Sequence, residues 1–487
     1  MADRHIVIIG GGFTGTALAI HLARQGGAGL RVTVIEPREQ LAAGVAYSTR
    51  DPAHRINVPA SRMQLSAAEE GDFDRWFRAA PAFKSDPAAQ WEDGRVYPQR
   101  GQFAAYIREQ YRLAGEHSAV QLSHVRDRAV ALHDGKVLTA SGETYQADEV
   151  VLAISHPPPA LPAILARTLS DHPALIANPW LDDALVKVAA DDRVAIIGTG
   201  LTMSDVVASL HHQGHRGLVV AFSRRGQLPR DNLSGDYQPL TLDYRRPQLT
   251  TARGWLRRIR QEVALAAEQN LPWQLVLDDI RLNGQRLWQQ LSLDEQRRFL
   301  RHLRPWWDVH RYRIAPQVSA VLQQWQASGQ LTVQAARLTG VTAEGTKIAL
   351  GLQLRGGAAE TLRVDKLIVT TGPAHGALLN SDDLLRQLAG EGVIQADPLA
   401  LGILVNPQSQ TLNIEGIANR HLYVVGPAAR ARFGELMGLP QVAEHAESLA
   451  RLLLSTPGAR RSRAMSWFTE YLLIYLALIK TITAQGI

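Results

Sequence analysis

Cysteine is absent from the 487-residue sequence. Its absence excludes disulfide bonds, thiolate metal sites and iron–sulfur clusters, together with every enzyme that works through a redox-active cysteine pair. A signal peptide is also lacking, because the first apolar strand pattern begins at about His5. We therefore expect a protein of the reducing cytoplasm.

A lysine-rich run is missing too, and the net charge of +6 is modest for this length. Nucleic-acid binding is therefore not expected. His211, His212 and His215 lie close together in sequence but lack neighbouring carboxylates, so no metal site is expected either. The hydrophobic share of 46% and the charged share of 20% are those of a globular protein, and the length allows two or three domains.

What the sequence does contain is two glycine-rich turns, each between an apolar strand and an amphipathic helix. The first follows the strand pattern of residues 6–9. Its glycines permit a tight turn, close approach to a pyrophosphate and close packing of the helix, whose N-terminus attracts phosphate. The residues predicted to line a nucleotide here are Gly10, Gly12, Phe13, Thr14 and Gly15.

A carboxylate stands at the end of the next predicted strand, residues 30–35. Glu36, followed by Pro37, is positioned to accept hydrogen bonds from ribose hydroxyls, and its charge repels a 2′-phosphate. This spacing predicts an adenosine without that phosphate. The alternative is a strand–helix–strand unit that binds nothing.

The second turn follows the strand pattern of residues 194–197. Gly198, Gly200, Leu201 and Thr202 form a variant of the fingerprint in which Met203 replaces the third glycine. The match of this turn to the dinucleotide-binding fingerprint is good but imperfect. Two such turns in one chain predict two dinucleotides and electron transfer between a flavin and a nicotinamide.

The strand after the second turn ends in basic residues. Ser223, Arg224 and Arg225 stand where an acid would otherwise meet the adenine ribose. Guanidinium groups bind a 2′-phosphate by charge and by paired hydrogen bonds. This predicts NADPH as the second cofactor, and the alternative is a solvated turn with two incidental arginines.

Six further segments carry a resemblance to a known family. They are Gly44-Val45-Ala46-Tyr47, Arg55-Ile56-Asn57-Val58-Pro59-Ala60-Ser61-Arg62-Met63, Tyr97-Pro98-Gln99-Arg100, Ser223-Arg224-Arg225-Gly226, Trp307-Asp308-Val309-His310-Arg311-Tyr312-Arg313 and Tyr423-Val424-Val425-Gly426-Pro427. With these motifs the chain resembles the FAD/NAD(P)-binding oxidoreductases related to class B flavin monooxygenases and amine N-hydroxylases. The resemblance extends especially to a bacterial subfamily with a combined FAD-NAD(P) domain.

The resemblance implies further FAD-binding residues. Residues 57–63 resemble a loop that crosses the flavin ring, and Gly426 with Pro427 resembles a late strand end that closes over the flavin chain. Arg62 is assigned either to the pyrophosphate or to the surface, and Met63 either to the cofactor or to the core. The additional FAD-binding residues that the resemblance implies are Tyr47, Asn57, Val58, Arg62, Met63, Arg100, Gly426 and Pro427.

The fold class that follows is α/β, with two Rossmann-like dinucleotide-binding domains and a helical insertion. We predict a discontinuous FAD domain (1–160 plus 365–455) and an inserted NADPH domain (185–238 plus 325–364). Residues 239–324, rich in Arg, Gln, Leu and Trp at helical spacing, are predicted to cap the substrate cleft. Residues 456–487 are predicted to form an apolar helix.

The candidate substrate residues are Trp307, His310, Arg311 and Arg313. Tryptophans at helical spacing are often core, and a histidine is often structural. The two arginines are equally consistent with holding a substrate carboxylate and with pairing to acids of the insertion.

The C-terminal segment is too short, and too interrupted by Glu470, for a membrane span. We expect it to dock on the domain or on a second subunit of a homo-oligomer. The alternative is a helix on a membrane surface.

The resemblance implies an FAD-dependent, NADPH-consuming monooxygenase that oxygenates a small nucleophile, such as an amine, with O2 through a flavin hydroperoxide. The alternatives are an NAD(P)H dehydrogenase that reduces a quinone or a partner protein, and a flavin-binding protein without catalytic activity.

Overall fold

The computed structural model describes residues 4–154, 156–244 and 249–456. The helix predicted over 456–487 therefore lies outside the described residues, apart from Thr456. Among the described helices, none combines the length and the apolar character that a membrane crossing requires.

The described residues form β-strands at sixteen places. In chain order they are β1 (Arg4–Ile9), β2 (Leu30–Ile35), β3 (Gln121–Val125), β4 (Ala129–His133), β5 (Lys136–Thr139), β6 (Thr144–Gln146), β7 (Glu149–Leu152), β8 (Leu175–Ile176), β9 (Val194–Ile197), β10 (Val219–Ser223), β11 (Leu331–Glu344), β12 (Lys347–Leu354), β13 (Ala359–Val364), β14 (Lys366–Val369), β15 (Gln410–Leu412) and β16 (Ala418–Val424).

The α-helices of the described residues lie between these strands and after the last of them. They are α1 (Phe13–Gln25), α2 (Asp72–Ala79), α3 (Pro81–Ser85), α4 (Arg100–Glu116), α5 (Ala163–Leu169), α6 (Leu201–His212), α7 (Ala252–Glu268), α8 (Trp273–Leu282), α9 (Gly284–Gln290), α10 (Leu293–Arg298), α11 (Arg304–Arg311), α12 (Pro316–Ala327), α13 (Asp383–Gly390), α14 (Arg430–Phe433) and α15 (Gln441–Ser455). A π-helical turn, Phe299–Leu303, joins α10 to α11.

The first unit is built on a six-stranded sheet in the order β15-β16-β7-β1-β2-β3. β1 lies in its interior and runs parallel to both β2 and β7. Ile6, Val7 and Ile8 are fully buried, as expected for a parallel strand covered on both faces. Helix α1 packs against α4 and α15 beside this sheet, and β4–β6 form a separate antiparallel sheet.

The second unit is built on a seven-stranded sheet in the order β13-β12-β11-β10-β9-β14-β8. β9 runs parallel to β10 and β14, so its carboxyl end opens onto the glycine turn that follows. β11 pairs in parallel with β10 and then continues into an antiparallel pairing with β12. Two such sheets, each with a helix after its glycine turn, confirm the predicted α/β class.

Three domain boundaries differ from the sequence prediction. β14 pairs with β8 and β9 in the second sheet, although residues from 365 onward are predicted for the first unit. β8 joins the second sheet before the predicted start at residue 185. Helix α12 lies against α6 and β11, although the insertion is predicted to extend to residue 324. A parallel connection from β10 to β11 needs a crossover helix, and α12 provides it.

The insertion therefore consists of α7–α11 and has a small core of its own. Leu242, Val276, Ile280 and Leu287 are buried in this core, and Trp307 packs against it. Thr251 begins α7 as its cap, because its hydroxyl accepts the backbone N–H of Gly254 at 3.1 Å.

Candidate active site

The first glycine turn joins β1 to α1 with little space between backbone segments. Gly10 has φ +105°, and a Cβ there would lie 2.3 Å from the carbonyl oxygen of Ala153. A Cβ on Gly15 would lie 2.0 Å from the carbonyl oxygen of Gly10. Both positions therefore require glycine, and the turn, the helix and the end of β7 are held in close contact.

The N-terminus of α1 is free of side-chain caps. Gly12 occupies the cap position without a side-chain hydrogen bond, and the first turn carries no acidic residue. Among the described residues, a Cβ on Gly12 would come within 4 Å of only the Gly44 Cα, at 3.6 Å. The N–H groups of the first turn, which begins with Phe13 and Thr14, are thus placed to receive an anion.

Glu36 lies directly against this turn. Its carboxylate is buried and accepts the Gly11 N–H at 2.9 Å and the Arg38 N–H at 3.0 Å. Pro37, beside it, is exposed. The glycine turn and the carboxylate are therefore brought together as the sequence spacing indicates.

The residues of the resembling loops lie around α1 and α4. The ring of Tyr47 packs on Phe103 at 5.0 Å, and burial raises the pKa of Tyr47 to about 12. Asn57 accepts from Arg100 at 3.4 Å, and Val58 is half-buried. Met63 is 3% exposed and belongs to the core, which is one of the two assignments made for it.

Arg62 and Gly426 have different surroundings: Arg62 contacts the insertion, whereas Gly426 contacts the first glycine turn. Arg62 is half-exposed and pairs with Asp278 of the insertion at 3.2 Å. Gly426 lies against the first helical turn of α1, because a Cβ on it would lie 2.9 Å from Thr14 Cγ2. Pro427, the next residue, is half-buried. The Gly426 N–H donates to His445 Nδ1 at 3.0 Å, a partner that the sequence did not indicate.

His445 makes the stability of this region depend on pH. Burial lowers the pKa of its imidazole from 6.5 to about 4. As the pH falls below 6.5, the unfolded chain binds a proton at this imidazole, whereas the folded chain binds it only near pH 4. We expect one such group to cost about 2 kcal/mol of unfolding free energy between pH 7.5 and pH 5.

Urea denaturation of a His445→Gln variant at these two pH values checks this expectation, because the variant should lose about 2 kcal/mol less than the parent protein. Exposed His212 provides a matched control, and His212→Gln should leave the pH dependence unchanged. Equal pH dependence in parent and His445→Gln proteins would contradict the expectation.

The second glycine turn repeats the geometry of the first. Gly198 has φ +113°, and a Cβ there would lie 2.4 Å from Thr370 Oγ1. Gly200 begins α6, and the described part of the chain supplies neither a side-chain cap nor any atom within 4 Å of a Cβ placed on it. Leu201 and Thr202 are half-buried, whereas Met203 is fully buried. The helix therefore accommodates methionine at the third glycine position by turning its side chain into the core.

Ser223, the last residue of β10, and the two arginines that follow it have separate environments. The Ser223 hydroxyl shares a hydrogen bond with Thr199 at 2.9 Å and accepts the Gly226 N–H at 2.9 Å, so it holds the turn together. Arg224 is exposed. Arg225 is half-buried, with its guanidinium 5.6 Å from the Trp306 ring and its Nη1 without a hydrogen-bond partner in the described part of the chain.

Arg100, which the sequence analysis assigns to a cofactor, lies at the contact between the two units. It forms a buried ion pair with Asp205 of α6 at 2.9 Å and donates to the carbonyl oxygen of Arg55. Beside it, His54 Nε2 shares a hydrogen bond with Ser209 Oγ at 2.9 Å. A buried polar cluster thus joins α4 to α6.

A cavity of about 700 Å³ lies between the insertion and the segment around α14. Its wall consists mainly of apolar and aromatic side chains, with a few charged groups among them. It includes Trp255, Ile259, Val263, Trp273, Leu277, Leu287, Trp288, Leu303, Arg304, Trp306, Trp307, Asp308, His310, Tyr312, Arg430 and Glu435.

Two of the four predicted substrate residues line this cavity, and the other two form ion pairs. Trp307 and His310 line the cavity, and the Trp307 indole N–H donates to Glu435 at 2.7 Å. Buried Arg311 pairs with the same carboxylate. Buried Arg313 pairs with Asp278 at 2.7 Å. Of the two assignments made for the arginines, the structure shows pairing with acids, one of which lies outside the insertion.

The residues that hold the arginines were not found from the sequence. Glu435 lies 124 residues from Arg311, and Asp278 lies 35 residues from Arg313. Segment 304–313 contains three arginines and a single acid, Asp308. This imbalance was the signal that acids from elsewhere in the chain must approach it.

The described residues contain no group of three histidine, aspartate or glutamate side chains arranged to hold a metal ion.

Comparison with known proteins agrees with this geometry. Residues 7–157 match the family model described as FAD-NAD(P)-binding. Ornithine hydroxylase PvdA from Pseudomonas aeruginosa, in its reduced form, superposes with a TM-score of 0.59 at 16% identity, covering 93% of this chain and 100% of that one. Ornithine N-hydroxylase KtzI from Kutzneria sp. 744 superposes with a TM-score of 0.56 at 16% identity, covering 93% of this chain and 98% of that one.

The chain has the fold of ornithine N-hydroxylases. Cadaverine monooxygenase DfoA from Erwinia amylovora shares this fold, with a TM-score of 0.54 at 13% identity over 93% of this chain and 94% of that one. No curated protein matches the sequence. The predicted family resemblance is confirmed by the family match and by the N-hydroxylase fold.

Proposed function

We propose that the protein is an FAD-dependent, NADPH-consuming monooxygenase that oxygenates a small nucleophilic molecule. The observation that carries the proposal is the pair of helix N-termini without side-chain caps among the described residues. One lies at the turn whose Gly11 N–H donates to Glu36, and the other lies at the turn whose Thr199 contacts Ser223, the residue before Arg224. The N-hydroxylase fold supports it, and KtzI with that fold was solved with reduced FAD, NADP+ and L-ornithine.

The first turn fits the pyrophosphate and ribose of FAD. Gly12 leaves room for phosphate at the N-terminus of α1. The Glu36 carboxylate, which accepts the Gly11 N–H of the same turn, is the group that would bind a ribose hydroxyl. When bound, FAD supplies the electron transfer from NADPH to O2. The reaction consumes NADPH, a proton and O2, transfers one oxygen atom to the substrate and releases NADP+ and water.

The second turn fits NADPH. Gly200 faces open space at the N-terminus of α6, where a pyrophosphate would sit, and Arg224 and Arg225 offer charge to a 2′-phosphate. The insertion forms one wall of the cavity in which we place the substrate. The small-molecule substrate and O2 are thus the proposed partners, and a cysteine-free chain suits the cytoplasm. Docking of residues 456–487 on a second subunit or on a membrane remains a prediction.

Anaerobic titration of the purified protein with NADPH and with NADH tests the cofactors. We expect a yellow protein whose flavin absorbance is bleached by one equivalent of NADPH. Product formation under ¹⁸O₂ with L-ornithine, cadaverine and benzylamine as probes then tests oxygenation. A colourless protein, or a flavin that NADPH leaves oxidised, would refute the proposal. Electron transfer to a quinone without ¹⁸O-labelled product would favour the dehydrogenase alternative.

Coenzyme preference provides a quantitative prediction for Arg224 and Arg225. Because charge-assisted hydrogen bonds contribute about 1.5–3 kcal/mol, Arg224→Ala with Arg225→Ala should lower kcat/KM for NADPH about 10- to 100-fold. The value for NADH should stay within about twofold. Steady-state kinetics with both donors measures the change.

The control for this prediction is Arg337→Ala, which removes an exposed arginine from β11 of the same sheet. The single variants separate the phosphate contact from the packing of Arg225 on Trp306. A parallel loss of activity with NADPH and NADH in the double variant would contradict recognition of the 2′-phosphate.

A further inference from the structure

The wall of the cavity is apolar on one side and polar on the other. Helices α7, α8 and α9 line it with tryptophans and aliphatic side chains, and exposed Arg260 is the one charged residue that their described part adds. We call this side the apolar half. The other charged residues of the wall belong to α11 and to segment 430–437, which together form the polar end; they are Arg304, Asp308, Arg430 and Glu435.

The polar end lies on the side of the nucleotide turns. Arg430 follows Gly426 by four residues, which limits the distance between their Cα atoms to about 14 Å, and Gly426 lies against Thr14 of α1. On α11, the ring of Trp306 lies 5.6 Å from the Arg225 guanidinium. In the proposed function the reacting atom of the substrate meets the flavin. That atom therefore belongs at the polar end, and the rest of the substrate belongs in the apolar half.

The polar end offers one accessible carboxylate to a cationic group. Both oxygens of Glu435 are occupied, because Oε1 accepts the Trp307 indole N–H at 2.7 Å and Oε2 pairs with buried Arg311. The Asp308 side chain is 36% exposed, and within the described residues its one polar contact is the ion pair with Arg304 at 3.4 Å. Asp308 therefore has acceptor capacity left for one ammonium group.

The apolar half has no acceptor for a second ammonium group. In the part of the chain that the structure describes it contains no acid, and its helix α7 lines the cavity with Leu256, Ile259 and Val263. A charge that is buried there without a partner is costly, whereas each methylene group that leaves water raises affinity about fourfold. A volume of about 700 Å³ is that of a small-molecule pocket. The wall thus favours a hydrocarbon with a single basic group.

We propose that the cavity binds an apolar monoamine, with its nitrogen at Asp308 and its hydrocarbon chain against α7–α9. This inference rests on the proposed function, because it names the substrate class of the same site. The amine R–NH2 is oxidised to the hydroxylamine R–NHOH. An N–O bond forms, the second oxygen atom of O2 leaves as water, and NADPH with one proton supplies the two electrons and the hydrogen of that water.

The carboxylate of Asp308 also suits the proton that this reaction must remove. An ammonium group has no lone pair with which to form the N–O bond, so it must first lose a proton. Burial raises the pKa of Asp308 above that of an exposed aspartate, which makes its carboxylate a better proton acceptor. Asp308 thus both positions the nitrogen and lies where the proton leaves.

Isothermal titration calorimetry of the purified protein at pH 7.5 tests the proposal. The probes are n-hexylamine and cadaverine, which have equal chain length and differ by a methyl group in place of the second ammonium. We expect n-hexylamine to bind about 10- to 100-fold more tightly. Asp308→Asn should weaken n-hexylamine binding about 10-fold or more, and Asp308→Glu should retain part of the affinity. The control Asp294→Asn, which changes an exposed acid of α10, should leave it unaltered.

A carboxylate placed in the apolar half should change the selectivity. Leu256 is half-buried and lines the cavity, so Leu256→Glu gives the second ammonium of cadaverine a partner. Cadaverine should then bind at least as tightly as n-hexylamine. Leu256→Gln, which adds no charge, should weaken n-hexylamine binding without making cadaverine the better ligand. Leu265→Glu is the matched control, because Leu265 lies on the same helix and is 49% exposed, and it should retain the parent selectivity.

Three results would overturn the proposal. Cadaverine binding at least as tightly as n-hexylamine in the parent protein would do so without any variant. Tighter binding of 6-aminohexanoate than of n-hexylamine would assign Arg260 to a second charged group and the cavity to an amino acid. Unchanged affinities for both amines in Asp308→Asn and in Leu256→Glu would place the amine outside this cavity.

Failure of the proposed function gives a different pattern. A protein without reducible flavin would refute the monooxygenase, yet the two titrations would still decide whether the cavity prefers an apolar monoamine. Formation of ¹⁸O-labelled product from another probe, together with equal binding of n-hexylamine and cadaverine, would refute the cavity proposal alone.

Discussion

Replacing Glu435 with alanine should lower the free energy of unfolding by about 3–5 kcal/mol. The Glu435 carboxylate pairs with Arg311, whose side chain is 3% exposed, and it also accepts the indole N–H of Trp307. Its removal leaves a buried guanidinium without a countercharge and an indole without an acceptor. The cost of an unpaired buried charge exceeds that of the lost carboxylate contacts themselves.

Urea denaturation followed by tryptophan fluorescence measures this change, because five of the ten tryptophans lie in the insertion that Glu435 contacts. Glu435→Leu combined with Arg311→Met should recover much of the lost stability, since an apolar pair leaves no buried charge. The exposed residue Asp294, paired with Arg297 on α10, serves as the control, and Asp294→Ala should change stability by less than about 0.5 kcal/mol. A Glu435→Ala protein as stable as the parent would contradict the expectation.

Replacing Asp205 with alanine should have an effect of the same size at the contact between the two units. Arg100 and Asp205 are 8% and 6% exposed and lie 2.9 Å apart, so the loss of the carboxylate leaves Arg100 buried and unpaired. We expect about 3–5 kcal/mol of destabilisation. The lost stability should lower the urea concentration at the unfolding midpoint, and it should also weaken the contact between the two units.

Hydrogen exchange of the α4 and α6 segments, together with urea denaturation, measures both effects. Asp205→Asn keeps an acceptor for Arg100 and should therefore cost less than Asp205→Ala. Asp191→Ala removes an exposed acid of the same unit, paired with Arg216 at 2.9 Å, and should leave both measurements unchanged. Unaltered exchange in α6 of Asp205→Ala would show that the pair does not hold the units together.

The glycine turns were predictable because their chemistry is local. Gly10, Gly15 and Gly198 stand where backbone atoms approach too closely for a side chain, and this requirement is visible in the strand–glycine–helix pattern. Glu36 follows by the same reasoning, since a parallel strand of fixed length places its end beside the turn. The boundary of the insertion was less predictable, because α12 has a helical sequence whether it caps the cleft or connects β10 to β11.

The charged residues were the least predictable part of the site. Arg62, Arg100, Arg311 and Arg313 each have a carboxylate partner from a distant part of the chain. Their sequence neighbours do not reveal that partner. Arg430 was missed for the opposite reason, because its distinguishing feature is that Nε and Nη2 have no hydrogen-bond partner among the residues that the structure describes.

The sequence by itself determined the α/β class, the two nucleotide turns and the contrast between an acid at one turn and arginines at the other. These features depend on residues within about 30 positions of each other, where helix and strand geometry fixes the distances. Only the tertiary structure decided which arginines pair with distant acids and where the apolar cavity lies. Burial and ion pairing arise from segments that are brought together across the whole chain, and no local pattern encodes them.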